Sequence, residues 1–332
     1  MDSYNSYISK YRDCIFGREG RAYLMGLSIL LIVLLHFFCW FKGTRPWWIY
    51  FFSEGQIGVD VFIFLSAYGL EASLRNNGWK KFYFNRIKRI FPVYLLFLIT
   101  LFLFFQNDIP LIRIIIQSLG QLSGLSLFQD SDFFSTGFEF DWFTPALIFI
   151  YASFPIISFV FNKVLCYSPK YEYCILIMLV IISLFALRFI KLPIEFLLYR
   201  LPIIMMGVIT YIHLEKGEIN RLLTTYLLFF ITGLLSNQHW FLVSSIVPIV
   251  LTAYAITNNC RPLKKIICIL GHHSYEIYLA HIFPITNFFM ARVYNNIYTF
   301  IFETIAWTLI VATIYSLYQK FAQKTISQIT NH

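Results

Sequence analysis

Charged residues are scarce in this chain of 332 residues: Asp, Glu, Lys and Arg together make up 13%, whereas 58% of the residues are hydrophobic. The mean hydropathy is +0.67. A water-soluble fold cannot bury that much apolar surface in one chain of this size, whereas membrane spans of about 20 residues each can. The apolar runs are continuous rather than alternating, so the sequence predicts an all-α polytopic membrane protein rather than a barrel.

Paired cysteines, internal repeats and low-complexity linkers are also lacking. The six cysteines show no C-x-x-C spacing, so we expect free thiols and no metal site. Without a linker or a change of composition, one integral-membrane domain is predicted over 1–332. It comprises a helical bundle at 22–318 and cytosolic tails at 1–21 and 319–332.

About ten apolar runs are long enough to be candidate spans. They cover residues 22–41, 57–74, 90–105, 142–161, 173–189, 196–214, 222–235, 240–256, 274–291 and 298–318. The segment 109–128 is apolar but contains Arg113, Gln117, Gln121 and two glycines. We interpret it as a re-entrant or interfacial helix on the outer side.

The basic residues give these spans an orientation. With the N-terminus in the cytosol, 19 of the 26 lysines and arginines fall in inside segments, six fall outside, and Arg200 lies within a span. Such an excess is typical of cytosolic loops, and it predicts that both termini are cytosolic. The net charge of +9 is then explained by topology, and no nucleic-acid partner is expected.

Polar residues inside spans are expensive in lipid and are therefore candidates for function. His36 lies near the outer end of the first span and Asp60 near the outer start of the second, so an antiparallel hairpin could pair them. A carboxylate beside an imidazole favours a general base for a hydroxyl group. The alternative is structural: His36 bonds a neighbouring helix, and Asp60 caps the second span.

The densest basic cluster is the stretch 80–94. Arg86 and Arg89 are three residues apart on one helical face and could bind a phosphate group through paired hydrogen bonds. The alternative is that the cluster only sets the topology or contacts anionic lipid.

Two further intramembrane residues have two interpretations each. His281 follows Ser274 by seven residues, or about 10 Å along a helix, which predicts a depth well away from His36. It could line a donor tunnel or be a structural histidine. Arg200 could contact an acceptor or stabilise an oxyanion, or its side chain could extend to the outer surface.

Four blocks of the sequence together resemble the membrane acyltransferase-3 family, the bacterial multi-span enzymes that acylate cell-surface glycans. They are His36, GVDVFIFLS at 58–66, RIKRIFPVY at 86–94 and SYEIYLAH at 274–281. Weaker similarities are DWF at 141–143 and RLP at 200–202. Two positions depart from the family pattern. Met25 stands where an arginine is frequent, with Arg21 and Arg18 as the nearest substitutes, and Ala67 replaces a usual glycine.

The resemblance implies an O-acyltransferase of the bacterial cytoplasmic membrane that uses acyl-CoA, most simply acetyl-CoA, and a glycan or lipid-linked glycan acceptor. Its site residues would be a catalytic pair, His36 and Asp60; a donor set, Arg86, Arg89, Tyr94, Ser66, His281 and Tyr278; and an acceptor or oxyanion set, Arg200, Asp141 and Trp142. Direct transfer and an acyl-enzyme on His36 or Ser66 both remain open, as does a homo-oligomer.

A transporter or flippase of a lipid-linked glycan is the alternative from another class, since it too would have many spans and buried charge. Inverted repeats or paired glycine-rich broken helices would favour it, and the sequence contains neither. A receptor or scaffold without chemistry would not need the buried polar set.

Overall fold

The computed structural model describes residues 15–40, 47, 55–105, 110–129, 141–167, 169–235, 261–287 and 297–330. Within these ranges the regular secondary structure is helical. The helices are α1 (Arg18–Trp40), α2 (Ile57–Phe105), α3 (Leu111–Ser123), α4 (Phe143–Tyr167), α5 (Pro169–Phe189), α6 (Ile194–Leu198), α7 (Leu201–Lys216), α8 (Ile219–Leu235), α9 (Arg261–His272), α10 (Ser274–Asn287) and α11 (Ile297–Thr330).

Five helical segments of the described part are long and apolar enough to cross a membrane: Arg18–Phe38, Phe143–Lys163, Tyr171–Phe189, Ile194–Lys216 and Tyr298–Gln328. Large apolar side chains are exposed on these segments, for example Phe159, Phe185 and Phe302, as expected where lipid replaces water. The all-helical membrane fold is therefore confirmed, whereas the count of about ten spans stays a prediction. The predicted span 240–256 lies outside the described residues.

Helices α9 and α10 run alongside α1 in the same direction. Lys264 pairs with Glu19 at 2.9 Å, and the backbone of Gly271 lies against Gly26, so both contacts share an offset of 245 positions. A Cβ atom added to Gly271 would lie 1.6 Å from the carbonyl oxygen of Ala22. Small residues at this contact let the two backbones approach closely, as is common between membrane helices.

Helix α2 consists of two arms joined at Gly78. Gly78 has φ 68° and ψ 172°, a conformation that glycine adopts without steric penalty. In a straight helix, Ser66 and Arg89 would lie about 35 Å apart. They instead line one cavity, so the chain reverses direction at Gly78, and the segment 75–89 is largely helical.

The two glycines Gly58 and Gly69 fix the register of the first arm against α1. A Cβ atom on Gly58 would meet the carbonyl oxygen of Ser28 at 2.4 Å, and one on Gly69 would meet the guanidinium of Arg21 at 3.2 Å. The arm is thus antiparallel to α1, as the sequence predicts for the first two spans. Gly58 lies level with Ser28, however, and not with the end of α1.

The segment that was predicted to be a re-entrant or interfacial helix forms α3 and a following 3₁₀ turn, Leu125–Phe128. Gln117 and Gln121 face the protein, whereas Leu111, Ile112 and Leu119 are exposed. The amide oxygen of Gln121 accepts a hydrogen bond from the hydroxyl of Tyr94 at 2.9 Å. Gln121, one of the two glutamines that interrupt this apolar run, therefore anchors the helix to α2.

A buried polar cluster joins the ends of α5, α7 and α8. Glu172 accepts hydrogen bonds from Thr225 at 2.6 Å and from Nε2 of His213 at 3.1 Å, and its other oxygen lies 2.7 Å from Arg221. Nδ1 of His213 lies 2.8 Å from Glu218. Because each charge has a partner of opposite sign, we interpret the cluster as a structural clamp between these helices.

Candidate active site

A cavity of about 370 Å³ opens between α1, both arms of α2, α4 and α10. Three guanidinium groups line it: Arg21 from α1, and Arg86 and Arg89 from the second arm of α2. Ser66 and Tyr278 line the same space. We call it the arginine cavity. The structure thus brings together Ser66, Arg86, Arg89 and Tyr278, four members of the donor set predicted from sequence.

Arg86 is held by aromatic rings. Its guanidinium carbon lies 5.5 Å from the ring centroid of Phe82 and 5.6 Å from that of Tyr151, an arrangement that stabilises the cation. Burial lowers the pKa of Arg86, Tyr151 acts in the opposite direction, and Arg89 and Arg21 lower it further. Its buried Nε has no hydrogen-bond partner among the described residues. Such a group is suited to bind an anion.

Arg21 is the cavity residue that the sequence pattern left in doubt. It lies one helical turn before Met25, and both side chains line the cavity. Residues four apart share a helix face, so an arginine at 21 reaches the space that an arginine at 25 would reach. The absence of arginine at 25 therefore leaves the cavity with three cations.

Tyr278 connects the arginine cavity to a buried polar group behind it. Its hydroxyl donates to Oδ1 of Asp141 at 3.0 Å. The same oxygen accepts from the backbone N–H of Thr144 at 3.1 Å, so Asp141 also caps the start of α4. The ring of Tyr278 packs edge-on against Phe143, with the centroids 5.1 Å apart. Asp141 thereby fixes one wall of the cavity.

Beyond Tyr278 the structure pairs two histidines. Nδ1 of His36 lies 2.8 Å from Nε2 of His281, and the two rings stack with their centroids 5.1 Å apart. The predicted depth of His281, well away from His36, is wrong. The prediction took Ser274 as the start of the helix that contains His281. In the structure α9 already runs alongside α1 from Arg261 onwards. His281 and His36 therefore have the same offset of 245 residues as the contacts between α9 and α1.

The hydrogen bonds assign the tautomers of this pair. Nδ1 of His281 faces the backbone carbonyl oxygen of Tyr278, which can only accept, so this nitrogen carries a hydrogen. In the neutral ring, Nε2 of His281 then has the lone pair and accepts from Nδ1–H of His36. Neutral His36 is left with a lone pair on Nε2, the atom that could take a proton. Among the described residues no third ligand converts the pair into a metal site.

Asp60 does not pair with His36, and that prediction is wrong. Oδ1 of Asp60 accepts from Nε of Arg200 at 2.6 Å, and both side chains are buried. The reason is register: Gly58 lies level with Ser28, eight residues or about 12 Å below His36 along α1. His281 occupies the position at His36 that Asp60 was expected to fill.

Arg200 points inward rather than to the outer surface. Besides Asp60, it donates through one terminal nitrogen to the carbonyl oxygen of Phe196 at 2.9 Å. Its guanidinium carbon lies 5.0 Å from the ring centroid of Trp142. Buried Asp60 and Arg200 and partly buried Trp142 thus form one unit, separate from the walls of the arginine cavity. Tyr94, bonded to Gln121, also lies outside that lining.

Sequence reasoning missed Tyr151 and Tyr275 as residues of the cavity wall. Tyr151 lies in the middle of an apolar run, and nothing in its sequence context separates it from other span tyrosines. Tyr275 stands inside the SYEIYLAH block beside Tyr278, so that block did contain a signal for it.

The comparison with known families decides the class. A family model described as an acyltransferase domain, acyltransferase-3, matches residues 23–318. The chain belongs to this family. It is a multi-pass membrane acyltransferase, as the four sequence blocks indicate, and the match spans α1 to most of α11. No curated protein and no solved structure matches this acyltransferase.

Proposed function

We propose that this acyltransferase moves an acyl group, most simply acetyl, from acyl-CoA to a hydroxyl group of an envelope or exported glycan. One observation carries the proposal. A cavity with three guanidinium groups ends at Tyr278, whose carbonyl oxygen orients the His36–His281 pair.

The arginines account for the donor. The diphosphate of CoA carries two negative charges, and arginine binds phosphate oxygens through charge-assisted hydrogen bonds. Arg21, Arg86 and Arg89 converge on one space with no carboxylate among its lining residues. Three cations around one cavity would destabilise the folded protein if no anion were bound there, because like charges repel one another.

The histidines account for the chemistry. The glycan hydroxyl gives its proton to Nε2 of His36, and the hydroxyl oxygen attacks the thioester carbonyl carbon. The C–S bond breaks, the sulfur receives the proton from the imidazolium, and the products are the glycan ester and free CoA. His281 accepts the hydrogen on Nδ1 of His36 throughout, which holds the ring and favours its protonated form.

The orientation proposed from the basic residues would put the donor on the cytosolic side of a bacterial inner membrane and the His36 end of α1 towards the acceptor. Ser66 lines the cavity, and we assign it to contact the donor rather than to form an acyl-enzyme. Position 58 lies about 12 Å below His36 along α1, so we assign the Asp60–Arg200–Trp142 unit to stabilise the bundle rather than to contact the acceptor.

The experiment is thiol release from acetyl-CoA by purified protein in nanodiscs, with a panel of envelope glycans. Wild-type protein should release thiol only when an acceptor is present. His36→Ala should bind acetyl-CoA with unchanged affinity, measured by calorimetry, and release thiol about 10²- to 10⁴-fold more slowly. A protein that neither binds acetyl-CoA nor releases thiol, yet moves a lipid-linked glycan between leaflets, would instead be a transporter.

A further inference from the structure

A second cavity, of about 350 Å³, lies beside the arginine cavity. The last turn of α9, the start of α10 and the C-terminal part of α11 form its walls. Arg89 and Tyr275 belong to the walls of both cavities. We call the second space the Lys320 cavity. A ligand that occupied both cavities would therefore lie beside Arg89 and Tyr275.

Gln319 of α11 fixes the position of Arg89. Its amide nitrogen donates to the backbone carbonyl oxygens of Lys88 and Arg89, at 3.1 and 2.9 Å. The side chain is buried, with 5% of its surface exposed. Its amide oxygen has no hydrogen-bond partner among the described residues. Because an unsatisfied buried acceptor is unfavourable, a ligand with N–H or O–H donors would be stabilised at this wall.

The rest of the lining is predominantly basic. Lys320, His272 and His273 join Arg89, and Glu276 contributes one carboxylate. Burial is the largest cause that lowers the pKa of His272, and the charges of Arg18 and His273 lower it further. The hydroxyl of Ser316 lies 3.2 Å from Nδ1 of His273. The cavity thus combines cations for phosphate, an amide acceptor, and a carboxylate that can accept from a ribose hydroxyl.

We propose that the Lys320 cavity binds the 3′-phosphorylated adenosine end of the acyl-CoA donor. This inference rests on the proposed function. In CoA the diphosphate lies between the nucleoside and the pantetheine arm, and Arg89 lies between the two cavities. Arg89, with Arg86 and Arg21, would hold the diphosphate; the pantetheine arm and thioester would extend towards Tyr278, and Lys320 would bind the 3′-phosphate.

Donors of different length test this assignment. Lys320→Gln should raise the KM for acetyl-CoA about tenfold, because a charge-assisted hydrogen bond to phosphate is lost. The KM for acetyl-pantetheine, which lacks the nucleotide, should not change. Lys320→Arg should keep most of the affinity for acetyl-CoA. Lys324→Gln is the matched control, because Lys324 is exposed one turn further along α11 and does not line the cavity.

Equal effects of Lys320→Gln on both donors, or no effect on either, would overturn the proposal. Calorimetry with adenosine 3′,5′-bisphosphate provides a readout that does not need turnover. Wild-type protein should bind this probe, Lys320→Gln should bind it about tenfold more weakly, and absence of wild-type binding contradicts the subsite. If the probe binds but acetyl-CoA never releases thiol, the nucleotide site stands and the proposed reaction fails.

Discussion

His36 and His281 form a hydrogen-bonded pair of imidazoles, with 2.8 Å between Nδ1 of the first and Nε2 of the second. The carbonyl oxygen of Tyr278 sets the direction of that bond through the other nitrogen of His281. His36 therefore has the nitrogen with a lone pair that can act as the base, and His281 positions the ring of His36. The two histidines should respond differently to substitution.

His36→Ala is expected to lower kcat for thiol release by about 10²- to 10⁴-fold, the usual contribution of a general base. His281→Leu should lower kcat less and leave the KM for acetyl-CoA unchanged, because the base remains but loses its hydrogen-bond acceptor. In His281→Gln the amide oxygen can accept from His36, so part of the activity should return. Equal activities of the Leu and Gln variants would contradict a positioning role.

The Asp60–Arg200 pair should contribute to stability. Removing one partner of a buried ion pair leaves an unpaired charge and costs about 3–5 kcal/mol. Asp60→Asn and Arg200→Met should each lower the unfolding temperature in detergent. The double variant Asp60→Asn/Arg200→Met should lose less than the sum of the single changes. Additive losses would indicate that the pair is not coupled.

Arg21 should act as the third cation of the donor site. Arg21→Gln is expected to weaken binding of acetyl-CoA about tenfold, because one charge-assisted contact is lost. Adding Met25→Arg to that variant should restore binding, because position 25 faces the same cavity. Lys81→Gln removes a charge from an exposed position outside the cavity and should leave the affinity unchanged. Calorimetry measures all three.

Arg86 and Arg89 allow a charge-matched comparison. The double variant Arg86→Gln/Arg89→Gln should raise the KM for acetyl-CoA far more than Lys80→Gln/Lys81→Gln. Both pairs remove two positive charges from the same segment, but only the arginines line the cavity. Similar KM values for the two double variants would show that the arginines only help to set the membrane topology.

The contact between α1 and α9 should tolerate no side chain at Gly26 or Gly271. An added Cβ would lie 1.9 Å from the carbonyl oxygen of Ile267 or 1.6 Å from that of Ala22. Gly26→Ala and Gly271→Ala should therefore lower the yield of monodisperse protein in size-exclusion chromatography. Gly120→Ala is the control, because its nearest neighbour is the flexible side chain of Gln129 at 3.3 Å.

The sequence predicted the helical membrane fold and much of the arginine cavity. Ser66, Arg86, Arg89 and Tyr278 could be found because each lies in a block with a recognisable order of residues. Arg21 could be found because it lies one turn from the position where an arginine was missing. In these cases the information is local to one helix or to one short block.

The partners of His36, Asp60 and Arg200 could not be predicted, because they depend on how helices far apart in sequence are aligned. The sequence prediction placed the start of α2 level with the end of α1. The contact between Gly58 and Ser28 shows that α2 instead starts about 12 Å further from that end, and Asp60 is displaced with it. The basic stretch before Ser274 was predicted to be a loop, whereas it forms α9. The distance of His281 along α1 was therefore underestimated.

The offset of 245 residues between His36 and His281 also has a consequence for biosynthesis. One imidazole is synthesised with α1, and its partner follows only 245 residues later. A ribosome-bound intermediate that ends before Arg261 should insert α1 and yet leave acetyl-CoA intact. If the donor is acyl-CoA as proposed, its consumption would thus begin only once α10 has inserted beside α1.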